Sequence, residues 1–237
     1  MTPLDYVLRL GDDALVTAQR LGAWYAAAPE MEEDVALANI ALDQLGAARL
    51  LLTYAGEIEG AGRDEDALAY LRDAADFRNC RLVERPEPDF GVLIAKLLLL
   101  SAFQLPLYTA LAEPGAGDER LAAIAAKARK ESAYHLDHST MWTLRLGDGT
   151  EESHRRMQVA VDTLWPYTAG LFAGAEGPVP LDSVRPLWTS TVEDVLTRAT
   201  LRVPPAPAGE PPDDRAELVA LLAEMQGLHR AHPGARW

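Results

Sequence analysis

A long apolar run in the middle of the chain limits its fold more than any other feature. Gly91 to Ala112 is apolar except for Lys96, Ser101, Gln104 and Thr109. A run of this length can cross a bilayer. Against a span, Lys96 lies inside the run, Pro106 interrupts it, and acidic residues flank both ends. A membrane span favours basic flanks. The run therefore predicts a helix buried on nearly all sides at the centre of a bundle.

The rest of the chain has helical patterning. Ala and Leu dominate and β-branched residues are sparse, which favours helix. Thr2, Pro3 and Asp5 suit a helix start, so a first helix is expected over about 3–27, stopping before Pro29. A second is expected over 31–55, ended by Gly56, with Val35, Ala38, Leu42, Leu45 and Leu52 at three- and four-residue steps. Residues 56–88 have the composition of a long connection, with short helices over Glu65–Arg72 and Phe77–Val83. The apolar run gives a helix over 89–112, bent at Pro106. Asp118 caps another over 118–146. Extra helices follow over 150–172, with a break at Pro166, over 186–201, and over 213–230 after a Pro-rich linker. No strand pattern persists.

Two helical hairpins joined by one long crossover make a ferritin-like arrangement. The expected fold is all-α: one ferritin-like four-helix bundle spanning 1–237, with additional C-terminal helices.

Bulk properties narrow the partners. The chain has 237 residues and a formal charge of −14, from 36 acidic and 22 basic side chains. It is a poor candidate for nucleic acid or anionic membrane. Cys80 is the single cysteine, so no internal disulfide can form, and a reducing cytoplasm fits. The N-terminus lacks a basic segment followed by an apolar run, so no secretion signal is expected.

A ferritin-like fold raises the question of metal. A carboxylate-bridged di-metal site takes a Glu from each of two helices and Glu-x-x-His from the other two. Residues three apart share a helix face, so the carboxylate can bridge while the imidazole binds. One match exists, Glu151-Glu152-Ser153-His154, at an expected helix start beside the capping Thr150. That is better read as an acidic first turn favoured by the helix dipole. The core positions are incomplete. Asn39, Asp43 and Gly46 share a face, with glycine where the histidine belongs. Lys96 and Gln104 are the polar groups of the apolar helix, and Glu131 and His135 lie four apart. Asp43, Lys96, Gln104, Glu131 and His135 thus have the look of a vestigial polar core, and no catalytic, cofactor or metal ligand is assigned. Lys96 is expected to pair with Asp43 or Glu131 where a cation would otherwise sit.

Other chemistry is absent. There is no Gly-x-Ser-x-Gly, no phosphate loop and no Gly-x-Gly-x-x-Gly. Cys80 lacks the adjacent base a nucleophile needs. Trp24, Trp142, Trp165 and Trp188 are expected as core or interface anchors, and Trp237 as a residue that docks on a partner.

Several stretches together carry a resemblance. They include Tyr6–Asp12, Gln19–Gly22, Ala28–Glu30, Asp34–Arg49, Asp64–Arg72, Leu82–Phe90, Lys127–Leu136, Arg145–Glu152, Leu164–Phe172 and Ala223–Gln226. The chain resembles the PaaC-type family of bacterial phenylacetyl-CoA ring-epoxidising oxygenase components, most weakly over 174–212.

The resemblance implies a non-catalytic subunit that packs on a paralogous, ferritin-like A subunit. The A subunit would hold the di-iron centre, and a reductase component would carry flavin, an iron–sulfur cluster and NADPH. The complex would epoxidise the ring of phenylacetyl-CoA with O₂. This chain would hold no cofactor, stabilise its partner, and form a homodimer when alone. Two other readings stay open: an independent ferritin-like di-metal oxidase or metal-binding protein, and a stand-alone helical interaction module.

Overall fold

A computed structural model describes residues 3–174, 176–207, 209–211 and 215–235. Among them, helices are joined by turns and no strand occurs. Contacts divide the chain into two compact units, Met1–Pro86 with Pro212–Trp237, and Glu87–Pro211.

The first unit is built on a long hairpin, α1 (Pro3–Gly22) and α2 (Met31–Glu59). Tyr6, Leu10, Leu37, Ile40 and Leu51 are buried in it. Each such side chain contributes roughly 1.5–3 kcal/mol by leaving water. The helices approach closely at Gly11, where an added Cβ would come 3.0 Å from Leu52 Cδ2.

Two boundaries differ from expectation. α1 stops at Gly22 and not near residue 27, because the chain turns through Ala26 with φ 62°. α2 runs past Gly56 to Glu59 and ends at Gly60 in the left-handed region. Gly56 serves a different purpose: a Cβ there would fall 2.1 Å from the Arg63 carbonyl oxygen. The glycine admits the returning chain.

The crossover then forms α3 (Glu65–Tyr70), capped by Asp64, a 3₁₀ turn at Ala74–Asp76, and α4 (Arg81–Glu84). The expected helix over 77–83 is mostly extended. The Arg78 and Cys80 N–H groups are held by Asp12 Oδ2 at 2.8 Å and Asp13 Oδ1 at 2.7 Å. Those bonds take the place of helical ones. The last helix, α9 (Ala216–Ala231), belongs to this unit. The expected start at residue 213 and the cap at Thr2 lie outside the described residues, as does Trp237.

The second unit is built on α5 (Phe90–Leu111) and α6 (Glu119–Gly147), capped by Asp89 and Asp118. α5 packs on α6, α7 (Glu151–Leu164) and α8 (Arg185–Arg198). Every residue from Gly91 to Gln104 is buried. Protein, not lipid, thus covers the apolar run. Pro166 ends α7 as expected, and 3₁₀ geometry continues over Trp165–Leu171. Trp165 and Trp188 are buried and donate to the carbonyls of Pro205 at 2.8 Å and Leu99 at 2.9 Å. Trp24 and Trp142 are half-buried.

Candidate functional site: a polar core without a ligand set

The polar core positions are spread over both units. Asp43 lies half-buried on α2, where Asn39 is exposed and Glu33 and Gln44 are the buried polar residues. In the second unit Lys96 and Gln104 are buried on α5, and His135, His138 and Ser139 on α6. Ser101 Oγ on α5 and Ser139 Oγ on α6 lie 3.3 Å apart.

Lys96 has an ion-pair partner that its sequence context does not suggest. Lys96 Nζ forms its ion pair with Glu87, just before α5, and both side chains are only 4% exposed. Glu131, half-buried, takes Lys127 Nζ at 2.7 Å. Glu131 is one turn from Lys127 on the same helix, so this pair forms locally. Glu87 stands between two prolines in a connection, and no periodicity marks it as a core residue.

The Glu-x-x-His match is a helix start. Thr150 Oγ1 accepts the Ser153 N–H at 3.1 Å. Glu152 is held by Arg155 and Arg156, which lower its carboxyl pKa to about 2. His154 Nδ1 lies 2.7 Å from the Gly147 carbonyl oxygen. Glu151, the carboxylate of the match, is exposed in the first turn of α7, while His154 closes the α6–α7 corner.

Among the described residues, no three His, Cys, Asp or Glu side chains converge as a metal cluster would require. A bridged di-metal centre needs four carboxylates and two imidazoles. The residues present do not fit that centre, and no step through one is assigned to this chain. Cys80 is buried, and burial with Asp13 nearby pushes its thiol pKa far up. That thiol is a poor nucleophile.

The feature that sequence reasoning misreads is a surface. Val35, Leu42 and Leu45 follow the helical period, which predicts a core face. They are exposed, as is Met31, at 77% for Met31 and 63% for Leu42. The buried stripe of α2 is a different one: Leu37, Ile40, Gln44, Ala47, Ala48, Leu51 and Ala55. α2 therefore carries two apolar stripes, one buried and one facing solvent. Monomeric surfaces rarely hold a contiguous apolar strip of this kind without using it.

Among the described residues, helices without strands and an exposed apolar helix face define an all-α, ferritin-like chain, and no His, Cys, Asp or Glu cluster there matches a metal centre's donor set. Comparison with known sequences gives the family. A family profile described as phenylacetic acid catabolic protein matches residues 1–237, and the chain belongs to that family. It is 44% identical over 245 residues to the C component of the 1,2-phenylacetyl-CoA epoxidase of Escherichia coli (strain K12), covering 98% of each chain.

Proposed function

We propose that this chain is the non-catalytic structural subunit of a multicomponent phenylacetyl-CoA ring-epoxidising monooxygenase, acting in aerobic phenylacetate catabolism in the cytoplasm. Its role is to stabilise the catalytic A subunit, a ferritin-like paralogue that holds the di-iron centre. A separate reductase component supplies electrons from NADPH through flavin and an iron–sulfur cluster. In this reading the two long hairpins form one four-helix core, and the whole chain is a single ferritin-like domain.

The observation that carries the reading is the solvent-facing stripe Met31, Val35, Leu42 and Leu45 on α2. Leaving such side chains in water forgoes roughly 1.5–3 kcal/mol each. A paralogue of the same fold can cover them helix against helix. The relative's place in a multi-subunit epoxidase supports the same partner class. The incomplete ligand set supports a supporting role over a catalytic one.

The test is metal content and mass by light scattering, on the chain alone and after co-expression with an A-type subunit. The expected result is no stoichiometric iron alone, a homodimer alone, and a stable mixed complex whose oxygenase activity follows the A subunit. Two irons per chain, retained without the partner, would establish the independent di-metal oxidase instead. A chain that gains no partner would be a stand-alone interaction module.

A further inference from the structure

The C-terminal helix is seated by side chains that act on backbone carbonyls. Arg215, just before α9, has φ 60°, a left-handed conformation that is unusual for a large side chain. Its guanidinium spans the end of the crossover. Nε and Nη2 donate to Glu84 Oε1 at 3.0 and 2.7 Å. Nη1 donates to the carbonyls of Ala74 at 3.1 Å and Phe77 at 2.9 Å, and Nη2 to Asn79 Oδ1 at 2.8 Å. Glu84 is fully buried, so this charge needs its partner.

Three turns further on, Gln226 Nε2 donates to the carbonyls of Ala69 at 2.9 Å and Arg72 at 3.0 Å. Arg230 Nε donates to the Tyr70 carbonyl at 2.9 Å, and its Nη2 to that of Arg72 at 2.9 Å. A helix end leaves its last carbonyls without intrahelical donors. α3 ends at Tyr70, and α9 supplies the missing donors from far along the chain.

The same seating builds a wall of an apolar groove of about 480 Å³. Leu15 of α1, Leu42 and Leu45 of α2, Tyr70 of α3 and Met225 of α9 line it together. Tyr70 stacks on His229 of α9, with ring centroids 4.7 Å apart. Leu42 and Leu45 also belong to the exposed stripe, so groove and stripe are one continuous surface.

We propose that α9 is a strap: its seating on residues 69–84 through Arg215, Gln226 and Arg230 fixes the groove wall and sets how tightly the chain holds its paralogous partner. This inference rests on the structural-subunit reading above.

The experiment uses the full chain with an A-type subunit. Hydrogen exchange reads the seating, and the dissociation constant of the complex reads the docking. Arg215→Ala and the double variant Gln226→Ala/Arg230→Ala are expected to speed exchange across 65–84 and 216–231 by about tenfold or more. Both are expected to weaken partner binding by about tenfold or more. Leu228→Ala, on the exposed side of α9, is expected to change neither. If Arg215→Ala fails to fold, Arg230→Ala alone should shift both readouts in the same direction by less. Faster exchange with unchanged partner affinity overturns the proposal, and so does unchanged exchange. Failure of the wild-type chain to bind the A-type subunit overturns the structural-subunit reading, and this proposal with it; the wild-type arm tells the two failures apart.

Discussion

Arg72 closes a two-pronged ion pair on Asp12, tying the crossover to the first helix across sixty positions of sequence. Nη1 lies 3.0 Å from Oδ2, and Nη2 donates to Oδ1. The side chains are 3% and 0% exposed. The Arg78 N–H adds a bond to Oδ2 at 2.8 Å. Burial raises the Asp12 carboxyl pKa, and Arg72 opposes that shift. Removing one partner strands the other charge in the interior. Asp12→Ala is expected to cost about 3–5 kcal/mol. The double variant Asp12→Leu/Arg72→Met should recover most of that loss, because no lone charge remains. Urea unfolding of the two variants checks it, and equal losses in both would show that the pair's hydrogen bonds matter more than the stranded charge.

Lys96 and Glu87 pose the same test in the second unit. Their side chains are each 4% exposed, and the two form an ion pair. Lys96→Met leaves a buried carboxylate and is expected to lose about 3–5 kcal/mol. Adding Glu87→Gln should restore more than half, and more than adding Glu131→Gln does. Urea unfolding of the three variants measures this. A larger rescue by Glu131→Gln would mean that Lys96 is held by α6 after all.

The two ion pairs show why some of this molecule was legible in its sequence. Periodicity and caps act locally, so α5 and α6 start where Asp89 and Asp118 predict. The core identity of the apolar run follows from its composition alone. Pairings such as Arg72 with Asp12 depend on how the crossover returns, and no local pattern encodes that. Glu87, set between two prolines, has no helical period to place it. α2 misleads for a different reason. A helix with two apolar stripes gives period without direction, so Val35, Leu42 and Leu45 read as core until the neighbours of Leu37 and Ile40 are known. The absence of Glu-x-x-His pairs at core positions was legible, because that motif is a spacing.

The exposed stripe should be replaceable without harm to the isolated chain. Leu42→Glu and Leu45→Glu sit on solvent-facing positions, so stability is expected to change by no more than about 0.5 kcal/mol. Capture of the A-type subunit should fall sharply, because truncating or charging a central anchor typically costs about 2 kcal/mol or more. Size-exclusion chromatography of co-expressed subunits measures this. Normal complex formation by the double variant would place the interface elsewhere.

Alkaline pH should weaken the fold through two buried groups. Burial pushes the pKa of the Cys80 thiol and the Tyr6 phenol far up, with Arg9 opposing each shift. In the unfolded chain they titrate near about 8.5 and about 10. Between the unfolded and folded values the unfolded state holds fewer protons, so stability falls as pH rises. The contribution is complete below about pH 8.5 and is lost above it, at up to about 1.4 kcal/mol per pH unit for each group. Cys80→Ala should flatten the fall between about pH 8.5 and 10. Urea midpoints across that range check it, and an unchanged slope in the variant would assign the alkaline loss to other groups.

Gly147 is the position where the smallest added group should do measurable damage. It is buried at the end of α6. A Cβ there would lie 2.3 Å from the Ala199 carbonyl oxygen and 2.8 Å from the Ala199 Cβ. Backbone cannot swing aside as a side-chain tip can. The Ala199 N–H is already bonded to the Val195 carbonyl at 2.9 Å, and Thr200 turns through φ 59°. The Gly147 carbonyl itself takes Thr200 Oγ1 at 3.2 Å and lies 2.7 Å from His154 Nδ1. Gly147→Ala must therefore part α6 from the end of α8 and stretch both bonds. Overpacking of this kind costs about 1–3 kcal/mol. At roughly 2–4 °C per kcal/mol for a chain of this size, Tm should fall by several degrees. Gly22→Ala is the control, since nothing lies within 4 Å of the added group. Equal Tm for the two variants would show that the α6–α8 corner yields more easily than its backbone contacts imply.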